Sequence, residues 1–253
     1  MSSSVAGQLV YAVGDVHGCY QLFKELLGRI ARDCAARAAG RRPILVLLGD
    51  YIDRGPDSAK MLEALVWLRR RPDLEVHLLR GNHEQALLEF ADAPERGGPW
   101  LQYGGAETLA AYGVSAPSAD ADPAALVAAR DELLARMPAA HLRLLQGLEL
   151  IVEVGDYAFV HAGVRPGTPL ARQSEQDLLW IRQEFLESPG PFEKTIVHGH
   201  TWLDHRPQLT PGRIGLDTGA FATGVLTAIR LEDGAREVLQ VGEPAGAAAR
   251  TAA

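Results

Sequence analysis

Cysteine is scarce in this chain. Its 253 residues hold two, Cys19 and Cys34, with no CxxC spacing, so the sequence supports neither a disulfide framework nor a zinc–thiolate site. Positive charge is also short: 25 Lys and Arg stand against 32 Asp and Glu, a net charge of −7. That balance argues against general nucleic-acid binding through a basic face and against adhesion to an anionic membrane. A local basic pocket stays compatible with it. No apolar run is long enough to span a bilayer. The stretch MSSSVAGQLV has no basic start leading into a long apolar core, so no secretory signal is expected and a reducing cytoplasm is the expected setting. No internal repeat recurs. Apolar residues are plentiful, at 47%, enough for one large core or two small ones.

The first part of the chain alternates strand and helix. LVYAV (9–13), ILVLL (44–48) and EVHLL (75–79) read as buried strands. Between them, Leu22, Phe23, Leu26, Leu27 and Ile30 recur at helical spacing, and a helix from about Ser58 to Arg71 carries Met61, Leu62, Leu65 and Leu68. Three βα units predict a parallel sheet with right-handed crossovers. Residues 91–123 break the pattern; rich in Gly, Pro, Ala and Asp, they read as a loop with one short helix around 105–112. Residues 124–136 read as a helix whose Leu/Ala stripe packs on the core. LELIVEV (148–154) and YAFV (157–160) predict a hairpin about Gly155-Asp156. A helix is expected over about 175–187, and strands at 195–197, 213–216, 225–231 and 237–241. A single domain over 8–242, with a cap insertion over about 91–145, leaves 1–7 and 243–253 as disordered tails.

The chemistry lies at the strand ends. GDVHG (14–18), GDYIDRG (49–55), RGNHE (80–84), FVHAG (159–163) and VHGHT (197–201) each follow a strand with Asp, His or Asn beside glycine. In a parallel α/β sheet these ends lie on one edge, where ligands bind, so Asp15, His17, Asp50, Asn82, His161 and His200 can converge. Oxygen and imidazole donors without a thiolate suit Mn, Fe or Zn. The set exceeds what one tetrahedral ion needs. It suits two ions about 3.5–4 Å apart that share a carboxylate.

These motifs, in this order over about residues 9–231, resemble the phosphoprotein phosphatase branch of the calcineurin-like metallophosphoesterases. LDTGAFATGVLTAI (216–229) resembles the closing strands of its compact bacterial and phage members. The resemblance implies an α/β (α+β) fold, a four-layer β-sandwich flanked by helices, with a small cap segment. It implies two divalent ions, Mn²⁺ first and Fe or Zn as alternatives. Asp15 and His17 then match ligands of one ion, Asp50 the bridging ligand, and Asn82, His161 and His200 ligands of the other. His83 matches the general acid, Asp53 the carboxylate that orients it, and Arg54, Arg182 and Asn82 the phosphate contacts.

Read one at a time, several of these residues have plainer uses. Asn82 could cap a helix beginning near Glu84, Asp53 could pair with Arg54 at a surface turn, and His161 could be an ordinary polar residue at a strand end. Arg182 could lie on a solvated helix face. His198 reads as support for His200 rather than as a ligand. His77, His141 and His205 have no identifiable partner, and Cys19 is not expected to act as a nucleophile. Trp100 and Tyr103 either anchor the 91–123 segment or wall the site.

The function expected is phosphomonoester hydrolysis by in-line attack of a metal-bridging hydroxide, with phosphoserine or phosphothreonine proteins as substrate; tyrosine phosphatase activity is compatible. The alternative is a symmetrical bis(5'-nucleosyl)-tetraphosphatase, taking dinucleoside polyphosphates. That cousin usually lacks an aspartate at the place of Asp53 and has GNHD where this chain has GNHE. A fold that kept its shape and lost catalysis is the remote third.

Overall fold

The computed structural model describes residues 3–244. Strand β1 (Leu9–Val13) is buried at every position. Helix α1 (Tyr20–Arg37) buries Phe23, Leu26 and Ile30 along one face, as the spacing predicts. Then come β2 (Ile44–Leu47), α2 (Ser58–Leu68), β3 (Glu75–Leu78) and α3 (Asn82–Asp92). Strands β1, β2 and β3 pair in parallel, which is what repeated βα units require.

The stretch after α3 holds the one short helix expected around 105–112 but, before it, departs from the loop that its composition predicts. It runs through a 3₁₀ turn (Pro94–Arg96), a short helix α4 (Gly98–Trp100), a π-type turn (Leu101–Gly105) and α5 (Ala106–Ala111). Pro94 and Pro99 sit in first turns, where a missing N–H costs nothing and the fixed φ suits a helix. Gly104, at φ +114°, interrupts the run. Next are α6 (Pro123–Arg136) and α7 (Ala139–Gln146). The α6 stripe of Leu126, Ala129 and Leu133 is buried in the core, as expected. Helix α7 has no counterpart in the sequence reading, because eight residues behind a proline carry too little periodicity to stand out.

A second sheet holds β4 (Ile151–Val154) and β5 (Tyr157–Val160), paired as an antiparallel hairpin. The helix expected over about 175–187 is two pieces, α8 (Glu175–Trp180) and α9 (Gln183–Leu186). The chain breaks at Ile181 (ψ 141°) and Arg182 (φ −131°). This lets Ile181 bury in the outer core while Arg182 lines a cavity. β6 (Thr195–His198), β7 (Gln208–Leu209) and β8 (Arg213–Gly215) complete the second sheet. After α10 (Ala220–Thr223), β9 (Leu226–Glu232) and β10 (Ala235–Val241) return to the first. The orders are β10-β9-β1-β2-β3 and β4-β5-β6-β8-β7.

The two sheets pack face to face. Side chains alternate along each strand: Val10 and Ala12 of β1 meet Phe159, Val197 and Ile214 between the sheets. Leu9, Tyr11 and Val13 point instead into the core shared with α1 and α2. On the far side, Ala158, Val160 and Ile196 pack under α8 and α9 with Leu178 and Phe185. This is the four-layer sandwich that the motifs imply. Residues 3–5, expected within a disordered tail, are instead packed, while Ala6 and Gly7 are exposed. Val5 belongs to the inter-sheet core, and the Ser4 N–H donates to Asp156 Oδ2 at 2.9 Å. Residues 1–2 and 245–253 of the expected tails lie outside the described residues. Among the described residues no helix is long and apolar enough to cross a membrane.

Candidate metal and phosphate site

The ends of β1, β2, β3, β5 and β6 bring Asp15, His17, Asp50, Asn82, His83, His161 and His200 to one edge of the sandwich, and all are buried. The backbone is bent hard to do it. Eight non-glycine residues among those described have positive φ, and five of them are His17, Asp50, Asp53, Arg54 and His200. Each such residue costs on the order of 1–3 kcal/mol, so the surroundings must enforce it. Glu84 supplies part of that force. Its buried carboxylate accepts the N–H groups of Asp50 (2.9 Å), Tyr51 (2.8 Å), Ile52 (3.3 Å) and Gly81 (2.9 Å), tying the 49–52 turn to the start of α3. Two glycines permit the convergence: a Cβ on Gly81 would lie 2.1 Å from Asp50 Oδ1, and one on Gly199 would lie 1.9 Å from Asp15 Oδ1.

Asp50 stands at the centre. Its Oδ2 is 3.5 Å from His17 Nε2, and its Oδ1 is 3.5 Å from His161 Nε2. It is shared by two groups whose ligating atoms lie within 4.8 Å of one another, His17–Asp50–His83 and Asp50–His161–His200. The hydrogen bonds fix the tautomers. His17 Nδ1 donates to the Ile52 carbonyl (2.9 Å) and His161 Nδ1 to that of Leu48 (2.8 Å). Their Nε2 atoms then carry lone pairs into the site. His161 Nε2 lies 3.0 Å from Asn82 Oδ1: two acceptors aimed at one place. Asn82 is therefore no cap; α3 begins at Asn82 itself, and its N-cap is Gly81. His200 Nε2 and Asp15 Oδ1 are buried with no partner, while Asp15 Oδ2 accepts the His200 N–H at 2.8 Å.

The electrostatics ask for a cation. Burial holds the His17 imidazole down to about 3 and that of His200 to about 2, and it lowers His161 as well. All three are neutral, the form that ligates a metal. Burial, then the charges of Asp217 and Asp50, push Asp15 well above the carboxylate range. Buried carboxylates and inward-facing lone pairs without donors are costly, and divalent ions answer both. The oxygen and imidazole donors fit such ions.

Beside this cluster sits His83. Its Nδ1 donates to Asp53 Oδ2 at 2.7 Å, and its Nε2 is 4.0 Å from Asp50 Oδ2. Burial opposes a proton on His83, but the Asp50 charge and the Asp53 bond outweigh it and raise its pKa. Asp53 is fully buried and does not form a surface pair with Arg54. It also accepts Trp100 Nε1–H (2.8 Å) and the Thr108 hydroxyl. Arg54 instead lies over the Phe221 ring, 4.6 Å from its centroid, with its guanidinium nitrogen 3.2 Å from His83 Nε2. Arg182 donates to Thr201 Oγ1 at 3.4 Å. Arg54 and Arg182 both line a cavity of about 700 Å³ with Asn82, His83, Tyr103 and Trp180. Trp100 and Tyr103 both line this cavity: Trp100 is buried against Phe90, and Tyr103 is 66% exposed.

The remaining histidines stand apart. His198 is buried against the edge of Phe185, with Nδ1 donating to the Gly199 carbonyl at 3.1 Å. His77 lies between Glu75 and Glu149, and His141 between Tyr112 and Glu63. Burial pushes the Cys19 thiol up to about 11, the reverse of an activated nucleophile. Sequence reasoning passed over Glu84, Thr108, Phe221 and Asp217. Asp217 is buried, and burial and then Asp50 push it up to about 7, against the Gly219 N–H that its Oδ1 accepts. Its signal was available, since GLDTG (215–219) is one more aspartate just after a strand, with a glycine two positions away on each side. Thr108 and Phe221 carried no such signal.

Comparison with known proteins agrees with this geometry. The pattern of the calcineurin-like phosphoesterase family matches residues 9–213. A serine/threonine-protein phosphatase 1 of Salmonella typhimurium is 30% identical over 88% of this chain and 92% of its own length. A symmetrical bis(5'-nucleosyl)-tetraphosphatase of Aromatoleum aromaticum is 32% identical over 92% of this chain and 96% of its own. A crystal structure provisionally named as a diadenosine tetraphosphatase superposes with a TM-score of 0.63 at 22% identity, covering 97% of this chain and 100% of that one; at that identity it speaks for the fold.

Proposed function

The chain belongs to the calcineurin-like phosphoesterase family, and from that premise we propose that it is a metal-dependent hydrolase of phosphoserine and phosphothreonine in proteins. Asp15, His17, Asp50, Asn82, His161 and His200 would hold two divalent ions, with Mn²⁺ the pair we expect. When bound, such ions stabilise charge on phosphoryl oxygens and supply a water of lowered pKa.

The protein's own groups do the rest. Arg54 and Arg182, on the wall of one cavity, grip phosphate oxygens through forked hydrogen bonds, and Asn82 Oδ1 completes the metal side. His83, with Nδ1–H held by Asp53, delivers a proton from Nε2 to the leaving oxygen. Arg54 beside that nitrogen places the phosphate next to the acid.

The observation that carries the monoester reading is the buried His83–Asp53 pair. A serine or threonine alkoxide is a strong base and leaves only with a proton. A nucleoside diphosphate is a weak base and leaves largely unaided. A built proton donor is worth most to the first substrate. The second reading, the symmetrical tetraphosphatase, has one observation in its favour: Tyr103 and Trp180 are exposed aromatics lining the cavity, and such faces stack on nucleobases. A panel with Mn²⁺ decides between them: phosphoserine, phosphothreonine and phosphotyrosine peptides against diadenosine tetraphosphate. Higher kcat/KM on the dinucleotide than on every peptide would overturn the reading.

A further inference from the structure

We propose that Trp100 and Thr108, from the segment after α3, are positioning residues for the proton donor: they hold the Asp53 carboxylate in the one orientation that keeps His83 Nε2 aimed at the leaving group. The assignment rests on the monoesterase reading of the site.

Three elements converge on Asp53. Oδ2 accepts two N–H groups at nearly equal length, His83 Nδ1 at 2.7 Å and Trp100 Nε1 at 2.8 Å. Oδ1 accepts the Thr108 hydroxyl, and Thr108 Oγ1 in turn accepts the Asp53 N–H at 3.0 Å. A carboxylate gripped by donors at both oxygens cannot rotate about its Cβ–Cγ bond without leaving a buried donor unpaired, which costs about 1–3 kcal/mol for each group. Asp53 is 0% exposed, so no water replaces a lost donor. The carboxylate plane is thereby set, and the imidazole plane follows it through the 2.7 Å bond.

The donors are themselves fixed. The Trp100 indole packs on Phe90, with centroids 4.7 Å apart. On Gly105 a Cβ would lie 2.4 Å from the indole ring atoms, so the ring needs a residue without a side chain there. Gly104 fixes the neighbouring residue: its carbonyl accepts the Arg54 N–H at 3.2 Å, and a Cβ on it would reach within 2.6 Å of that nitrogen. The segment that puts Tyr103 on the cavity wall thus grips both Asp53 and Arg54. Trp100 and Thr108 are joined to the reacting groups through Asp53 and His83, and Gly104 through Arg54.

The test is a double-mutant cycle read on two leaving groups. Trp100→Phe removes the N–H and retains an aromatic ring against Phe90. With the Mn²⁺-loaded enzyme, kcat on a phosphoserine peptide should fall about 10–100-fold, the range for removing a group that orients a functional side chain. The fall on p-nitrophenyl phosphate, whose phenolate leaves without a proton, should be several-fold smaller. In an Asp53→Asn background the same substitution should add less than about twofold, because residues acting through one partner are not additive. Thr108→Val, close in shape, should repeat the pattern and serves if Trp100→Phe does not fold. Equal losses on both substrates, or a full further loss in the Asp53→Asn background, would overturn the assignment and leave Trp100 as packing. Wild-type enzyme that cleaves diadenosine tetraphosphate but neither monoester would overturn the monoesterase reading itself, and this one with it.

Discussion

The strand-end loops and the 94–111 segment meet at Asp53, and they are built in opposite ways. In the loops the reactive side chains sit on strained backbone: His17, Asp50, Asp53, Arg54 and His200 all have positive φ. The 94–111 segment is helical and, apart from Gly104, holds no positive φ. Its contribution is made by packing and by two donated hydrogen bonds, from Trp100 and Thr108. The loops present groups where a sheet edge leaves room, at the cost of strain that two packed sheets must absorb. The helical segment has no strain to spare, and it orients what the loops present. Chemistry and its alignment are thus carried by different parts of the chain.

Substitutions on either side test that division. The largest effect is expected at the centre of the loops. Asp50→Asn removes the carboxylate shared by both clusters, so metal content and turnover should fall together, by roughly a thousandfold or more in rate given the several kcal/mol that such ions supply. Metal analysis beside an activity assay checks it; full activity in a chelated, metal-free sample would refute the metal site. Next is His83→Asn, which spares the six expected ligands. A loss of roughly 10²–10⁴-fold is expected for a phosphoserine peptide and a smaller one for p-nitrophenyl phosphate; parallel losses would remove His83 from proton transfer. Glu84→Gln comes third. A glutamine amide nitrogen cannot accept, so two of the four backbone N–H groups held by Glu84 lose their acceptor, and stability should drop by about 1–3 kcal/mol, measured by urea unfolding, with weakened metal binding. An unchanged midpoint would show that the strained turn holds itself.

The smallest effect is expected on the other side of the comparison. Tyr103 is exposed and donates nothing to Asp53, so Tyr103→Ala should leave p-nitrophenyl phosphate turnover within about threefold, in line with exposed substitutions. The ranking of phosphopeptides against dinucleotides should change. This is a cleaner probe than shortening the chain between Ala93 and Gly98, because Pro94 is buried and Gly97 packs under Phe90. An unchanged ranking would place substrate choice elsewhere on the rim.

The convergence of the candidate site residues was legible in the sequence because each lies within a few positions of the end of a parallel strand, and such ends share one edge of a sheet. Asp15, His17, Asp50, Asn82 and His83 follow parallel strands of the first sheet and His161 and His200 parallel strands of the second; the face-to-face packing of the two sheets brings both sets to one edge, and the alternation of buried strands with amphipathic helices announced the layers that hold them. The remainder depended on tertiary structure. The hydrogen bond from Thr108 to Asp53 spans 55 positions and that from Trp100 spans 47; neither donor stands beside a strand end or in a recognisable spacing. Residues 94–104 look like loop because Gly and Pro are read as breakers, whereas Pro94 and Pro99 start turns here and Gly104 and Gly105 make room for Arg54 and the Trp100 ring. Local sequence determines which groups a strand end can offer. Which distant side chains close around them is decided by packing, since a buried carboxylate such as Asp53 takes its donors from whatever segment the core brings within about 3 Å.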